Sequence, residues 1–334
     1  MLAMNGADAN IEIFKPFGEA FELMKKILFQ PFDLKKWFVM GFAAWLANLG
    51  SGGGSFNYQF NRRDDVRKVN EAISQIPHPI LVLGISLLIL FVLTAIVLFA
   101  WLRARGGFTF IDCIVKNRAA IAEPWREFRN EGNSYFLFSL VVTFIFIIFA
   151  ALLALPLIIL AIKGRYYLDL HHDRLDVYVL LAIAGWIFVI LLMIIAWALV
   201  ATFMVPVMYR RRCRAYEAFW AVLSLIAGHP GEILLYCLFL IVLAIATGLV
   251  SCLAICATCC IAALPYIGTV ILLPVFILFR SFSLVFLRQF GSDYDVWASF
   301  APREFLPILQ ARLATPPPMT AAVSPPEPPS PSVG

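Results

Sequence analysis

The sequence predicts an all-α membrane protein that crosses the bilayer about six times, and three observations indicate this class. First, 62% of the 334 residues are hydrophobic and only 14% are charged, whereas soluble domains carry about 25% charged residues. Second, no Asp, Glu, Lys, Arg or His occurs from 233 to 279, which leaves room for two crossings because one helical crossing needs about 20 apolar residues. Third, lysines and arginines cluster at the ends of the apolar runs, as is typical of polytopic helical proteins.

The predicted membrane domain covers residues 11–300. It follows a flexible N-terminus (1–10) in which we expect no cleaved leader, since a basic region and an apolar core are both missing. Apolar runs predict about six spans, at 37–50, 80–102, 135–162, 177–209, 233–256 and 263–279. The run 37–50 is short and precedes a Gly-rich turn, so a re-entrant element is the alternative there. The last two spans are expected to form a hairpin that turns near 259–266.

Amphipathic segments between the spans predict interfacial helices on the cytoplasmic side, at 12–29, 108–130 and 215–227. In the first of these, aromatic residues such as Phe14 and Phe17 share the apolar face, which favours the headgroup boundary over a protein core. The pair Gly106 and Gly107 predicts a helix break at the end of the second span. The polar stretch after this pair is therefore expected to form separate short helices.

The order of one interfacial helix followed by two spans recurs along the chain. The tripeptide Glu-Ala-Phe begins this order at 19–21 and again at 217–219. A looser third copy surrounds the interfacial segment 108–130. The sequence therefore predicts a threefold repeat of helical hairpins.

The distribution of basic residues predicts that both termini face the cytoplasm. If all six segments cross, 19 of the 26 lysines and arginines fall on one side and 7 on the other. If 37–50 does not cross, the division becomes 14 against 12. Because cytoplasmic loops are enriched in Lys and Arg, the six-span arrangement in the inner or plasma membrane is favoured.

The C-terminal tail (301–334) has a different composition from the rest of the chain. From 314 onward it is rich in proline, with PPP at 316–318 and PPEPPSP at 325–331. Such a composition cannot bury a core, so we expect a disordered or polyproline II segment. Its PxxP-like spacing makes the tail a candidate contact for a partner protein.

Three stretches carry a resemblance to a known family: RGGFTFIDCIVKNR at 105–118, EPWREFRNEGN at 123–133 and LLPVFILFRSFSLVFLRQFG at 272–291. With their order along the chain, residues 12–300 resemble an uncharacterised family of bacterial six-span membrane proteins. That family is similar in organisation to the membrane domain attached to some glycerophosphodiester phosphodiesterases. The resemblance implies a helical membrane domain but no catalytic activity, because the phosphodiesterase barrel has no counterpart in this sequence.

Basic residues near the span ends are the candidate binding residues. They are Arg103, Arg105, Lys116, Arg118, Arg126, Arg129 and Arg280. Near a membrane surface each such charge attracts anionic headgroups by about 1 kcal/mol, although the same residues also serve as topology determinants. Arg280 directly follows the last span, so we expect it to lie below the headgroups and to need a partner.

Two groups of residues could bind a metal ion, but each has a simpler interpretation than metal binding. The first is Asp169, His171, His172, Asp173 and Asp176. Neighbours on one loop seldom converge on one ion, so a solvated loop is favoured over a metal site. The second is Cys252, Cys256, Cys259 and Cys260. No nearby base or cation would stabilise their thiolates, so close packing between spans is favoured. We therefore predict no metal and no cofactor.

The span centres and the sequence motifs disfavour two classes of function, ion-coupled transport and catalysis. A charged residue at a span centre costs about 2.5–3.5 kcal/mol, and ion-coupled transporters accept that cost. The centres here carry none, which disfavours ion-coupled transport. Enzyme motifs such as HExxH and Gly-x-Ser-x-Gly are missing, so catalytic residues are not expected. The sequence favours a scaffold or accessory protein that contacts membrane lipids, and not nucleic acid. The alternative is a carrier for a lipid or another apolar substrate.

Overall fold

The computed structural model describes residues 13–49, 77–166, 172–257 and 265–298. The expectations for the N-terminus (1–10), the Gly-rich turn after residue 50, the hairpin turn and the tail (301–334) lie outside these residues. Within the described ranges the chain forms ten α-helices and no strand, which confirms the predicted all-α fold. The helices are α1 (Phe14–Phe29), α2 (Leu34–Ala47), α3 (His78–Val115), α4 (Ala122–Glu127), α5 (Arg129–Tyr166), α6 (His172–Arg211), α7 (Ala215–Gly228), α8 (Pro230–Ala257), α9 (Pro265–Ile271) and α10 (Leu273–Arg288).

Four of these helices, α3, α5, α6 and α8, are long and apolar enough to cross a membrane. In α3 and α5 none of the most apolar window is buried inside the protein, and Phe91 of α3 is 71% exposed. Water would not tolerate apolar surface on this scale, whereas lipid matches it. The chain is therefore an integral membrane protein.

The protein core lies at one end of these long helices. Buried residues begin in α3 at Ala104 and in α6 at Val200, close to the C-terminal end of each helix. They continue through most of α10, where Phe282 and Phe286 are fully buried. The short helices α1, α2, α9 and α10 surround these ends. The long helices thus share one packed end and expose their remaining length.

Helices α2 and α3 run side by side in opposite directions. The Lys36 ammonium donates to the side-chain oxygen of Asn117 (2.6 Å) at one end, and Leu46 lies against Gly106 at the other. Close approach at Gly106 is possible because a Cβ atom there would be only 2.7 Å from the Leu46 carbonyl carbon. The predicted break at Gly106 and Gly107 is wrong: α3 continues through both glycines to Val115.

Helix α1 packs part of its apolar face against α10. Its Ala20, Ile27 and Leu28 are fully buried, and Glu19 pairs with Arg288 at 2.6 Å. In the aromatic part of this face, Phe14 is 82% and Phe21 is 46% exposed, so its position at the headgroup boundary stays a prediction. Protein contacts, which a single amphipathic pattern cannot specify, take up the rest of the face.

Helix α7 also exposes part of its apolar face. Its small residues Ala215 and Ala218 are buried against the protein, while Tyr216 (62%), Trp220 (52%) and Leu223 (37%) are exposed along one stripe. Tyrosine and tryptophan are typical of membrane interfaces because one end of each ring system is polar. The stripe fits the predicted interfacial helix at 215–227.

Helices α2, α9 and α10 are shorter than the length that a membrane crossing needs. The predicted last span, 263–279, falls on two helices with an interruption at Leu272, where Pro274 opens α10. The six-span arrangement and its threefold repeat stay predictions, since length and apolar composition identify only α3, α5, α6 and α8 in the described residues.

Candidate functional site

Charged residues meet where α3, α4, α5 and α6 converge, and we call this group the ionic cluster. Its members are Asp112, Lys116, Arg118, Glu123, Glu127, Glu131, Tyr209 and Arg212. These residues lie on α3, the loop after it, α4, the first turn of α5 and the end of α6. The cluster therefore connects four helices and the loop between two of them.

Asp112 is the fully buried centre of the ionic cluster. One carboxylate oxygen accepts from the Lys116 ammonium (2.7 Å) and from the Tyr209 hydroxyl (2.9 Å). The other accepts two bonds from the Arg118 guanidinium, at 3.0 and 3.2 Å. A buried carboxylate is costly unless cations and hydrogen bonds compensate it. Both oxygens are compensated here, so Asp112 holds its neighbours in place.

Glu127 and Arg212 form the outer part of the ionic cluster. Glu127 accepts hydrogen bonds from Arg212 and from Lys116. Arg212 also lies 3.6 Å from Glu131, and its guanidinium sits 3.8 Å from the centre of the Phe128 ring. That ring stacks in turn on Tyr209 at 4.7 Å. The charged and aromatic contacts therefore support each other across α4, α5 and α6.

The backbone at two positions bends to build the ionic cluster. Asn117 (φ 47°) and Arg212 (φ 52°) adopt the left-handed conformation directly after α3 and α6. Asparagine tolerates this region, whereas arginine adopts it rarely. At Arg212 the conformation ends α6 and is accompanied by the contacts to Glu127 and Phe128. The ion pairs of Arg212 thus form directly after the end of α6.

The ionic cluster contains four carboxylates and three cations, so its charges nearly balance. Such a balance fits a structural clamp between helix ends better than a site for a charged ligand. No group of three or more His, Cys, Asp or Glu residues in the described chain is arranged to hold a metal ion. The chemistry available at this place is ion pairing between helices.

The ionic cluster predicts a loss of stability in acid. Burial alone would raise the pKa of Glu127, but hydrogen bonds from Arg212 and Lys116 lower it below its ordinary value of 4.5. A lowered pKa in the folded state means that the stabilisation is complete above about pH 4.5 and is lost as the pH falls through the folded value. We expect Glu127→Gln to flatten the acid side of the profile of melting temperature against pH.

The control for this profile is Glu22→Gln, which changes an exposed carboxylate of α1. Its acid side should follow that of the unmodified protein. A Glu127→Gln profile that also follows the unmodified protein would show that the ion pairs of Glu127 do not contribute to stability.

A second polar group, which we call the arginine box, lies on α3 about two helical turns before Asp112. Arg105 and Asp112 are seven residues apart and therefore share one face of the helix. The Arg105 guanidinium carbon lies 4.9 Å from the ring centre of Trp101 and 4.9 Å from the ring centre of Trp125. These two rings contact each other edge to face, with centres 5.8 Å apart and planes at 87°. Trp101 donates to the side chain of Asn133 (3.2 Å), which ties α3 to α5. Gly132 leaves space for the Arg105 stem, since a Cβ there would be 3.0 Å from it.

The predicted lipid-contact residues occupy different environments. Lys116 and Arg118 belong to the ionic cluster, and Arg105 forms the arginine box. Three others, Arg103, Arg126 and Arg129, are exposed. Arg280 lies apart from them on α10 and donates to the Thr202 carbonyl of α6 at 3.4 Å, which supplies the partner that its position required. Lipid contact by any of these residues stays a prediction.

The predicted metal-ligand groups lie largely outside the description. Asp169 and His171 fall between the described ranges, and so do Cys259 and Cys260. Cys252 and Cys256 lie on an exposed part of α8. The described residues therefore do not show the predicted packing of these cysteines against another span.

The sequence indicated some members of the ionic cluster but not its centre. Asp112 and Lys116 are four residues apart, a helical spacing that brings their side chains together. Both residues also lie within the predicted helical segment 108–130, but the spacing alone does not show that Asp112 is buried. No sequence pattern connects Asp112 with Tyr209, 97 residues further along the chain.

Comparison with known proteins gives a family but no function. The model of a family of unknown function (DUF7544) matches residues 12–290. No curated protein and no solved structure matches the chain. The similarity in organisation to the membrane domain of glycerophosphodiester phosphodiesterases therefore stays a prediction.

Proposed function

Since this chain belongs to DUF7544, a family of unknown function, its role has to come from its own residues, and we propose a non-catalytic membrane scaffold or accessory protein. The observation that carries the proposal is the ionic cluster. Its charged side chains are engaged with one another, with Asp112 fully buried, so they fix four helices at one end. A rigid polar end on an apolar membrane domain is a suitable platform for other molecules.

Two parts of the chain are proposed to make contacts. The stripe of Tyr216, Trp220 and Leu223 on α7 is exposed beside the polar end and suits the membrane interface. The Pro-rich segment 314–334 supplies a sequence that aromatic grooves of partner proteins recognise. The scaffold therefore holds lipid through its helices and a cytoplasmic or membrane protein through its tail.

The orientation of this platform is part of the proposal. We place both termini and the ionic cluster on the cytoplasmic side of the inner or plasma membrane. The antiparallel contact of α2 with α3 supports this, since it brings Lys36 to the same end as Asn117, and basic residues favour that side. Reporter fusions after Arg165 and Arg212 should report opposite sides, and an external reporter after Arg212 would reverse the orientation.

Removing residues 314–334 is the direct test of the scaffold. We expect the shortened protein to insert in the membrane and fold as before but to lose capture of the partner that the full chain retains after crosslinking and purification. A second variant replaces the prolines of 316–318 and 325–331 by alanine and keeps the length of the tail. It should lose capture as well, because the proline residues are the proposed contact. Capture that survives both changes would contradict the proposed role of the tail.

A carrier for lipid or another apolar substrate is the second candidate. It is supported by prolines inside long apolar helices, Pro156 in α5 and Pro206 in α6. Purified protein in vesicles separates the two candidates. Protein-dependent movement of a labelled lipid between leaflets would favour the carrier, while unchanged lipid distribution together with tail-dependent capture would favour the scaffold.

A further inference from the structure

Arg105 is a buried cation whose charge has no counter-charge in the described chain. Its residue is only 7% exposed, and its Nε atom is buried without a hydrogen-bond partner. The indole rings of Trp101 and Trp125 cover the guanidinium. The neighbouring charge that acts on it is another cation, Arg129. Buried polar groups are normally paired, so an orphaned donor on a buried arginine needs an explanation.

Arg118 of the ionic cluster differs from Arg105 because it has charged partners. Arg118, 13 residues further along the chain, has two carboxylate partners, Asp112 and Glu123. Arg105 is less exposed than Arg118 and has none. Contact with two tryptophan rings stabilises the cation, but no oxygen of the described residues accepts a hydrogen bond from its Nε–H. The arginine box thus holds an oriented cation with unused hydrogen-bonding capacity.

The position of the arginine box points to the membrane surface. The exposed apolar stretch of α3 extends to Phe99, which is 49% exposed, and Trp101 follows directly. Tryptophan is enriched at the level of the headgroups. The exposed residues Arg126 and Arg129 come from the neighbouring helices α4 and α5. The carboxylates of the same two helices, Glu123, Glu127 and Glu131, are paired with cations of the ionic cluster. The charges of α4 and α5 that stay available where the apolar surface ends are therefore positive.

From these contacts we propose that Arg105, oriented by Trp101 and Trp125 and assisted by Arg129, binds the phosphate of an anionic group. A guanidinium suits this ligand because its planar set of donors matches two phosphate oxygens. The adjoining apolar surface makes a lipid headgroup the expected source, and free phosphate has the same chemistry. The inference rests on the membrane part of the proposed function and does not depend on partner capture.

The test uses the purified full chain in a neutral detergent, with binding measured by native mass spectrometry. Phosphatidylglycerol and phosphatidylcholine with the same acyl chains are titrated separately. We expect tighter binding of phosphatidylglycerol, and Arg105→Gln should weaken that binding about fivefold, the factor for one charge near a lipid surface. Binding of phosphatidylcholine should weaken less, because its choline cation offsets the charge of its phosphate. Arg105→Lys should restore part of the difference, because the charge stays and the paired donors are lost.

Two further variants test the inference even if Arg105→Gln does not fold. Arg129→Gln removes an exposed charge and should weaken phosphatidylglycerol binding even if Arg105→Gln does not fold. Lys25→Gln removes an exposed charge on α1 and should have no effect. Competition by millimolar inorganic phosphate, absent in Arg105→Gln, would identify free phosphate as a sufficient ligand, while no competition would identify the lipid headgroup.

The inference is overturned if folded Arg105→Gln, or Arg129→Gln in its place, binds phosphatidylglycerol as tightly as the unmodified protein. Equal binding of both lipids by the unmodified protein, with no effect of inorganic phosphate, would overturn it as well. Because no partner protein is present in this measurement, failure of the scaffold proposal would not produce either result.

Discussion

Asp112→Asn is expected to lower the free energy of unfolding by about 3 kcal/mol, the lower end for breaking a buried ion pair. The variant keeps the size of the side chain but removes the charge that Lys116 and Arg118 share. The neutral amide of asparagine no longer balances these two cations. The Tyr209 hydroxyl also loses its charged acceptor. Reversible unfolding in mixed detergent micelles measures the difference.

Glu123→Gln is the control for this loss. Glu123 pairs with the same Arg118, but its side chain is 65% exposed, so its contribution is limited to about 0.5 kcal/mol. A loss at Asp112 no larger than the loss at Glu123 would show that the ionic cluster does not clamp the helices.

Gly106→Ala is expected to destabilise the protein by about 2 kcal/mol through overpacking. The added Cβ would lie 2.7 Å from both the carbonyl carbon and the Cβ of Leu46, and 2.8 Å from the Ala47 nitrogen. Two of these atoms belong to the backbone, so a change of rotamer cannot relieve the contact. Helix α2 has to move away from α3. The same unfolding measurement reports the loss, and a crosslink between cysteines at 36 and 117 should form more slowly.

Gly84→Ala is the matched control in the same helix. No atom lies within 4 Å of a Cβ built at Gly84, and alanine favours a helix over glycine by about 0.5–1 kcal/mol. This variant should be as stable as the unmodified protein or slightly more stable. Similar losses at both glycines would mean that α2 does not depend on close approach at Gly106.

The fold class could be predicted because lipid imposes a simple requirement on sequence. A crossing helix must be long and apolar, and the spans predicted at 80–102, 135–162, 177–209 and 233–256 each lie within one long helix of the structure. The path of α3 could not be predicted, since Gly106 has two opposite uses. Glycine weakens an isolated helix, but it also permits a second helix to approach. Only the position of α2 decides between them.

The candidate sites depended on contacts that one sequence does not reveal. Lys116 and Arg105 are both basic residues at the end of one apolar run, so the sequence predicts the same role for both, contact with lipid. The structure gives Lys116 two carboxylate partners and gives Arg105 two aromatic faces. Trp101 could have been assigned to Arg105 from its spacing of four residues, whereas Trp125 comes from another helix.

The single packed end also determines how the molecule responds to its surroundings. Helix α5 contacts α6 partway along its length, where Trp186 donates to the Ala150 carbonyl (3.4 Å), but all four long helices expose most of their apolar length. In a thinner or thicker bilayer we expect the tilt of these helices to change, at a cost of fractions of a kcal/mol per Å of mismatch. The distances between the exposed ends of these helices would then change, while the ionic cluster keeps its geometry.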